Sequence, residues 1–152
     1  MITPNSWDIH VAECTCYSEG SGAGDTAMLA IAYTQVNRAR LGAAYAATHG
    51  KPHPLFGSGH LSEAALDPEQ YSTFNRNTDD FDNLRRYCVA ADSDPVVIAA
   101  ATAVDAAISG SIPDPTRGAT HYYDESVPAP SWTVGATPTL IVDKLHFFAD
   151  VR

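Results

Sequence analysis

Basic residues are scarce in this chain. Nine Lys and Arg stand against eighteen Asp and Glu, giving a formal net charge of -9 over 152 residues. Neutralising a run of phosphates takes a basic face, so this balance speaks against a nucleic-acid partner and against attachment to an anionic membrane. Long apolar runs are missing as well. The richest, residues 96–108, is interrupted by Thr102 and Asp105 and falls short of the roughly 18 residues that a membrane-spanning helix needs. It predicts a buried helix and no stable membrane insertion. The opening Met1-Ile2-Thr3-Pro4-Asn5 has neither the positive nor the apolar region of a secretory signal, so an action outside the cytoplasm implies a separate carrier. Cysteine is limited to Cys14, Cys16 and Cys88. Three thiols at no recurrent spacing allow one disulfide at most, and small buried thiols are the expectation. A hydrophobic content of 45% and this length fit one domain spanning 1–152.

What is present reads mainly as helix. Ile9, Ala12 and Cys16 fall at helical spacing and Gly20 stops the pattern, which predicts a first helix ending at Glu19. Asp25 is placed to cap a second helix that carries Met28, Leu29, Ile31, Ala32 and Val36 and runs to about Arg40. Gly50, Pro52, Pro54, Gly57 and Gly59 mark a surface loop. Ser62 opens a short helical turn, and Thr78 or Asp79 caps a helix through Phe81, Leu84, Tyr87 and Cys88. Ser93 or Asp94 before Pro95, with Gly110 beyond the end, bounds a helix over 95–109. After Pro115 the texture changes to paired aromatics, prolines and the β-branched run Thr139-Leu140-Ile141-Val142. The sum is a mainly α, α+β domain whose irregular C-terminal third carries short strands.

Glu19 is the acid of most interest, because it sits where an apolar-faced helix meets the glycine-rich Gly20-Ser21-Gly22-Ala23-Gly24. A carboxyl against an apolar wall resists ionisation and can hold a proton to give away near neutral pH, the profile of a general acid. A glutamate merely solvated at a helix end looks the same at this level. Other chemistries find less support. His10 and Cys14 lie at i, i+4, but no Cys-x-x-Cys or His-Glu-x-x-His occurs, so no metal site and no cofactor is expected. Ser21 and Ser58 lack the spacing of a nucleophile elbow. The alternating glycines 20, 22 and 24 do not follow a strand, so a dinucleotide site is not indicated.

The order of several short blocks carries more information. Ser18-Glu19-Gly20-Ser21-Gly22-Ala23-Gly24, the helix after it and Asn37-Arg38 resemble the G-E-A-R-G-E, helix, N-R entry of the cell wall hydrolase family typified by the spore cortex-lytic enzyme SleB. Gln70-Tyr71-Ser72-Thr73-Phe74-Asn75 is similar to its Q-F-S-C-W-N segment, and Asp114-Pro115-Thr116-Arg117-Gly118-Ala119-Thr120-His121-Tyr122-Tyr123 to its D-P-T-G-G-A-T-H-Y motif. Pro130-Ser131-Trp132 and His146-Phe147-Phe148 resemble its P-x-W and H-x-F-Y elements. There are departures: Ser21 stands at the family's arginine, Ala23 at its second acid, Thr73 at its cysteine, Phe74 at its tryptophan and Ala149 at its last tyrosine.

The resemblance implies a lysozyme-like domain that cleaves the bond between N-acetylmuramic acid and N-acetylglucosamine in peptidoglycan without a metal. Glu19 matches the family's catalytic glutamate. Breaking a β-1,4 glycosidic bond needs a proton for the leaving oxygen and support for an oxocarbenium-like centre, commonly from two carboxylates. A lytic transglycosylase manages with one, because the C6 hydroxyl of the muramic acid attacks while the same glutamate turns from acid to base. A hydrolytic muramidase needs a second carboxylate to position water, and Asp79, Asp80, Asp114 and Asp124 are available. Gln70, Tyr71, Ser72, His121, Tyr122 and Tyr123 are the expected substrate-side groups, since rings pack on sugar faces and amides or hydroxyls bond sugar hydroxyls. Core packing is the rival role for the aromatics. Trp132 and His146 are expected to be structural, with Asn37 and Arg38 closing a helix end or bracing the glutamate loop. The expected partner is the peptidoglycan glycan strand. A toxin delivered into rival bacteria, with a cognate inhibitor protein, a phage lysin and a non-catalytic glycan binder are the other readings.

Overall fold

A computed structural model describes residues 2–67, 71–149 and 151. The first helix, α1 (Ser6–Gly20), begins with a reciprocal cap: Asp8 N–H donates to Asn5 Oδ1 at 3.0 Å, and Asn5 N–H donates to Asp8 Oδ2 at 3.2 Å. It runs one residue past Glu19. Gly20 marks where α1 presses on the next helix, because a Cβ there would lie 2.9 Å from Met28 Cγ. Ile9 is 36% exposed, so the buried face is centred on Val11, Ala12, Thr15 and Cys16 instead.

The second helix, α2 (Gly24–His49), departs from expectation at both ends. Its N-cap is Ala23, with no side-chain cap; Asp25 lies in the first turn. The reversal after α1 is so tight, with Ala23 N–H bonded to Gly20 O at 3.0 Å, that the helix has begun before Asp25. At the other end α2 continues nine residues beyond Arg40, because Ala43, Ala44, Ala46 and Ala47 are strong helix formers and outweigh the cost of one interior glycine, Gly42. Gly42 has a packing reason to be there: a Cβ would come within 2.5 Å of Phe56 O. The helix stops at Gly50, which takes the left-handed conformation at φ 66°.

The loop that follows is less superficial than its glycines and prolines suggest. His53 and Gly57 form an antiparallel bridge, and Phe56 is buried, stacked on His53 at 4.7 Å. Next comes α3 (Leu61–Ala65), whose N-cap is His60 and not Ser62. Thr78 caps α4 (Asp79–Tyr87), accepting from Phe81 N–H at 3.1 Å. Asp94, Pro95 and Gly110 bound α5 (Pro95–Ser109) as the sequence predicts. That helix buries Ala100, Ala103, Val104, Ala106 and Ala107 while Ile98 faces outward, so only one side is buried.

The core lies where α1, α2 and α5 pack against one another, and a small antiparallel sheet closes it. The sheet has β1 (His121–Asp124), β2 (Leu140–Val142) and β3 (Leu145–Phe148) in the order β1-β3-β2. Tyr122 pairs with Phe147, and Phe147 with Leu140, which turns Tyr122 and Phe147 toward the helices because alternate strand residues share a face. Cys14 and Cys16 are buried, whereas Cys88 is exposed at the end of α4, contrary to the expectation of three buried thiols; all are free. No helix among the described residues is long and apolar enough to cross a membrane.

Candidate active site

Glu19 lies in the last turn of α1, where helix geometry turns its side chain toward the loop after residue 70. That loop is fastened by Thr78, whose hydroxyl reaches Ser72 O at 3.0 Å and Asn75 O at 2.8 Å while its oxygen caps α4. Two consecutive residues of the loop then converge on one carboxylate oxygen. Ser72 N–H donates to Glu19 Oε1 at 3.0 Å, Thr73 N–H at 3.2 Å and the Thr73 hydroxyl at 3.1 Å, with Ser72 Oγ 3.3 Å away. The other oxygen, Oε2, accepts the Tyr122 hydroxyl at 2.5 Å. Asp80 is joined to the same cluster through the Ser72 hydroxyl.

Behind the carboxyl is an aromatic and cationic wall. Tyr122 packs on Phe147 at 5.2 Å and near Tyr71 at 6.1 Å, and the Arg38 guanidinium covers the Tyr71 ring at 4.4 Å. Arg38 Nε donates to Thr120 O at 2.6 Å, fixing the approach to β1. Its neighbour Asn37 donates to Asp114 Oδ2 at 3.0 Å and to Ala119 O at 3.1 Å. Asp114 also accepts from Thr116 N–H, the Thr116 hydroxyl and Gly118 N–H. It is the pin of a turn and not part of the groove. Asn37 and Arg38 likewise sit within α2, bracing the loop that leads into β1, and do not close a helix end.

The groove in front of Glu19 encloses about 400 Å3 and is lined by Tyr71, Ser72, Asp80, Tyr122, Tyr123 and Asp124 among others. Of the substrate-side residues expected from sequence, Tyr71, Ser72, Tyr122 and Tyr123 border it. His121 does not; it packs between Phe56 and Trp132, where burial and the charge of Arg38 lower its pKa to about 4. Gln70 lies outside the described residues. Trp132 rests edge-on against Phe148 at 5.3 Å, and His146 Nε2 is 3.0 Å from Glu125 Oε2. Thr73, read in the sequence only as a departure from a motif, supplies two of the donors to Glu19. Its place directly after Ser72 was the available signal.

The electrostatics favour a proton on Glu19. Burial raises its pKa, as does the nearby charge of Asp80, and both outweigh the lowering by hydrogen bonds from Tyr122, Thr73 and Ser72. The negative pole of α1 acts in the same direction. Asp80 is itself raised, chiefly by burial. The result is a carboxyl held in one orientation, bordering open space and able to keep a proton where an exposed glutamate has lost it. Among the described residues, no three His, Cys, Asp or Glu side chains gather as a metal site, and Cys14 Sγ and His10 Nε2 are 3.7 Å apart.

Residues 22–149 match the family profile described as Cell Wall Hydrolase. The chain belongs to the cell wall hydrolase family. Membership makes it a hydrolase of cell wall peptidoglycan. The matched segment begins three residues after Glu19, so the case for that residue stands on its surroundings, two of which, the Ser72-Thr73 loop and Tyr122, lie inside the match. The crystal structure of the catalytic domain of the Bacillus cereus SleB protein shares the fold, with a TM-score of 0.64 at 17% sequence identity, covering 96% of this chain and 92% of that one. The mainly helical, lysozyme-like architecture is thus that of the family. No curated protein matches the chain.

Proposed function

We propose that this cell wall hydrolase cleaves the β-1,4 bond between N-acetylmuramic acid and N-acetylglucosamine, with Glu19 as its acid and base, and that it does so as a lytic transglycosylase. The observation that carries the reading is the protonation-prone Glu19 carboxyl, clamped by Ser72, Thr73 and Tyr122 at the edge of a groove. Protonated Glu19 gives its hydrogen to the bridging oxygen as the glycosidic bond breaks. The resulting carboxylate then takes the proton of the muramic acid C6 hydroxyl as that oxygen bonds to the anomeric carbon. The proton balance closes on Glu19, and the product is a 1,6-anhydro end. Tyr71, Ser72, Tyr122 and Tyr123 border the sugar, with Gln70 assigned the same task from sequence and His121 a supporting one behind the wall.

Hydrolysis is the second reading, and a specific observation favours it: Asp80 and Asp124 line the same groove, and either is in place to orient water. Mass spectrometry of digested wall separates the two, since anhydro-muramic ends mark transglycosylation and reducing ends mark hydrolysis. Intact wall after prolonged incubation, with glycan strands retained on the protein, would instead indicate a binder. Peptidoglycan lies in the periplasm or at the cell exterior, so delivery as an antibacterial toxin with a cognate inhibitor, or as a phage lysin, predicts lysis when the chain is directed to the periplasm of a host and none when it stays inside.

A further inference from the structure

Ser72 stands between two carboxyl groups. Its Oγ is 3.3 Å from Glu19 Oε1 and is also hydrogen-bonded to Asp80 Oδ2, yet a serine hydroxyl has one proton to donate. Whichever carboxylate takes it leaves the other facing an oxygen lone pair. At 3.3 Å the approach to Glu19 is long for an O–H···O bond, so the proton goes to Asp80. The arrangement is fixed, because Thr78 both caps the helix that carries Asp80 and holds Ser72 O from the loop side.

We propose that Asp80 is a positioning residue for Glu19, acting through the Ser72 hydroxyl, which it keeps turned away from the glutamate. With Asp80 ionised, Glu19 loses one donor that would favour its carboxylate and gains a negative neighbour; both keep the proton on Glu19. The other groups facing this pair do not change charge in the working range. Cys16 on α1, Tyr71 in the loop and Tyr122 on β1 all have their pKa raised by burial, and the Arg38 guanidinium on α2 is the charge beside the two tyrosines. Asp79 on α4 and Asp124 on β1 face Asp80 and add to the negative field there. Asp80 is therefore the neighbour through which the proton affinity of Glu19 is set. The inference rests on Glu19 being the proton donor of the proposed reaction, but its physical core is measurable without substrate.

The test is a carboxyl 13C NMR titration of Glu19 in the full chain, alongside the pH dependence of wall cleavage, in the parent, Asp80→Asn, Ser72→Ala and the double variant. Asp80→Asn should move the Glu19 titration, and with it the alkaline limb of kcat, down by about one pH unit, with KM little changed. In the Ser72→Ala background the same Asp80→Asn change should produce a smaller shift, because no hydroxyl is freed to turn toward Glu19. An unmoved titration in Asp80→Asn, or a shift of equal size with and without the Ser72 hydroxyl, overturns the proposal. A purely structural Asp80 would lower the melting temperature without moving the titration. Glu19→Gln distinguishes the two levels: if it still cleaves wall, the functional reading fails even where the titrations behave as expected; if it is inactive and the titrations do not move, only the Asp80 link fails.

Discussion

The two ends of α1 carry carboxyl groups with nearly the same dressing and opposite behaviour. At the N-terminal end, Asp8 accepts the N–H and the hydroxyl of Ser62 at 3.1 and 2.7 Å; at the C-terminal end, Glu19 accepts the N–H and the hydroxyl of Thr73 at 3.2 and 3.1 Å. Both are shielded from water, and burial pushes both pKa values upward. For Asp8 the hydrogen bonds win and the pKa falls, whereas for Glu19 burial wins and it rises. Two differences decide the sign. Asp8 sits at the positive pole of the helix and Glu19 at the negative one. Asp8 also has His60 beside it at 3.1 Å, a group that pairs with a carboxylate, while Glu19 has Asp80. A carboxylate whose ionised form holds α1 against α3 and a carboxyl whose surroundings favour its proton thus differ little in their donors and mainly in the charges behind those donors.

The largest effect should come from Glu19→Gln, which keeps the shape and removes the proton donor. Turnover of purified wall should fall by about 10²- to 10⁴-fold, and parent-like clearance would remove the distinction between the two ends. Next, Asp8→Ala should destabilise the fold by about 3 kcal/mol, since it leaves the Ser62 donors without their partner in a buried site; chemical denaturation reads this. The pH profile of whatever activity remains should be that of the parent.

Tyr122→Phe should sharpen the comparison from the other side. It removes a hydrogen bond that favours ionised Glu19, worth about 2 kcal/mol, so the alkaline limb of activity should move up in pH, opposite to the shift expected for Asp80→Asn. The stability linkage follows the same signs. Glu19 is raised above its ordinary value, so its contribution is fully present below about pH 4.5 and is lost as pH rises through the folded value. Glu19→Gln should accordingly melt higher than the parent near pH 8 and gain little near pH 4. Asp8 is lowered, so its stabilisation is present above about pH 4 and is lost only in stronger acid. The smallest effect belongs to His60→Ala. Its side chain is half exposed, so the loss should stay under about 1 kcal/mol. Because the His60 pKa is raised by Asp8, that loss should be seen at pH 6 and shrink as pH rises through its titration.

Much of the frame was legible without coordinates, for local reasons. Thr78, Asp94, Pro95, Gly110 and the stop near Gly20 work through their own backbone neighbours, so α4, α5 and the end of α1 could be placed closely. The misses have a common cause. Asp25 looks like a cap only while the preceding turn is unknown, and Arg40 looks like an end only while Gly42 has no visible partner; Phe56 O supplies that partner. His121 reads as a cleft residue beside Tyr122 and Tyr123, but at the first position of β1 it lies between Phe56 and Trp132. Asp114 resembles a candidate acid until Asn37, Thr116 and Gly118 are seen around it.

By itself the sequence determined the helical plan, the acidic balance and the candidacy of Glu19, because capping, periodicity and charge act over a few residues and leave their mark in the order of the chain. Only the tertiary structure decided what Glu19 is. Its donors come from residues more than fifty positions away, and the charge that helps keep it protonated reaches it across Ser72 from another helix. Proton affinity depends on burial and on neighbours in space, and neither is written in the residues adjacent to position 19.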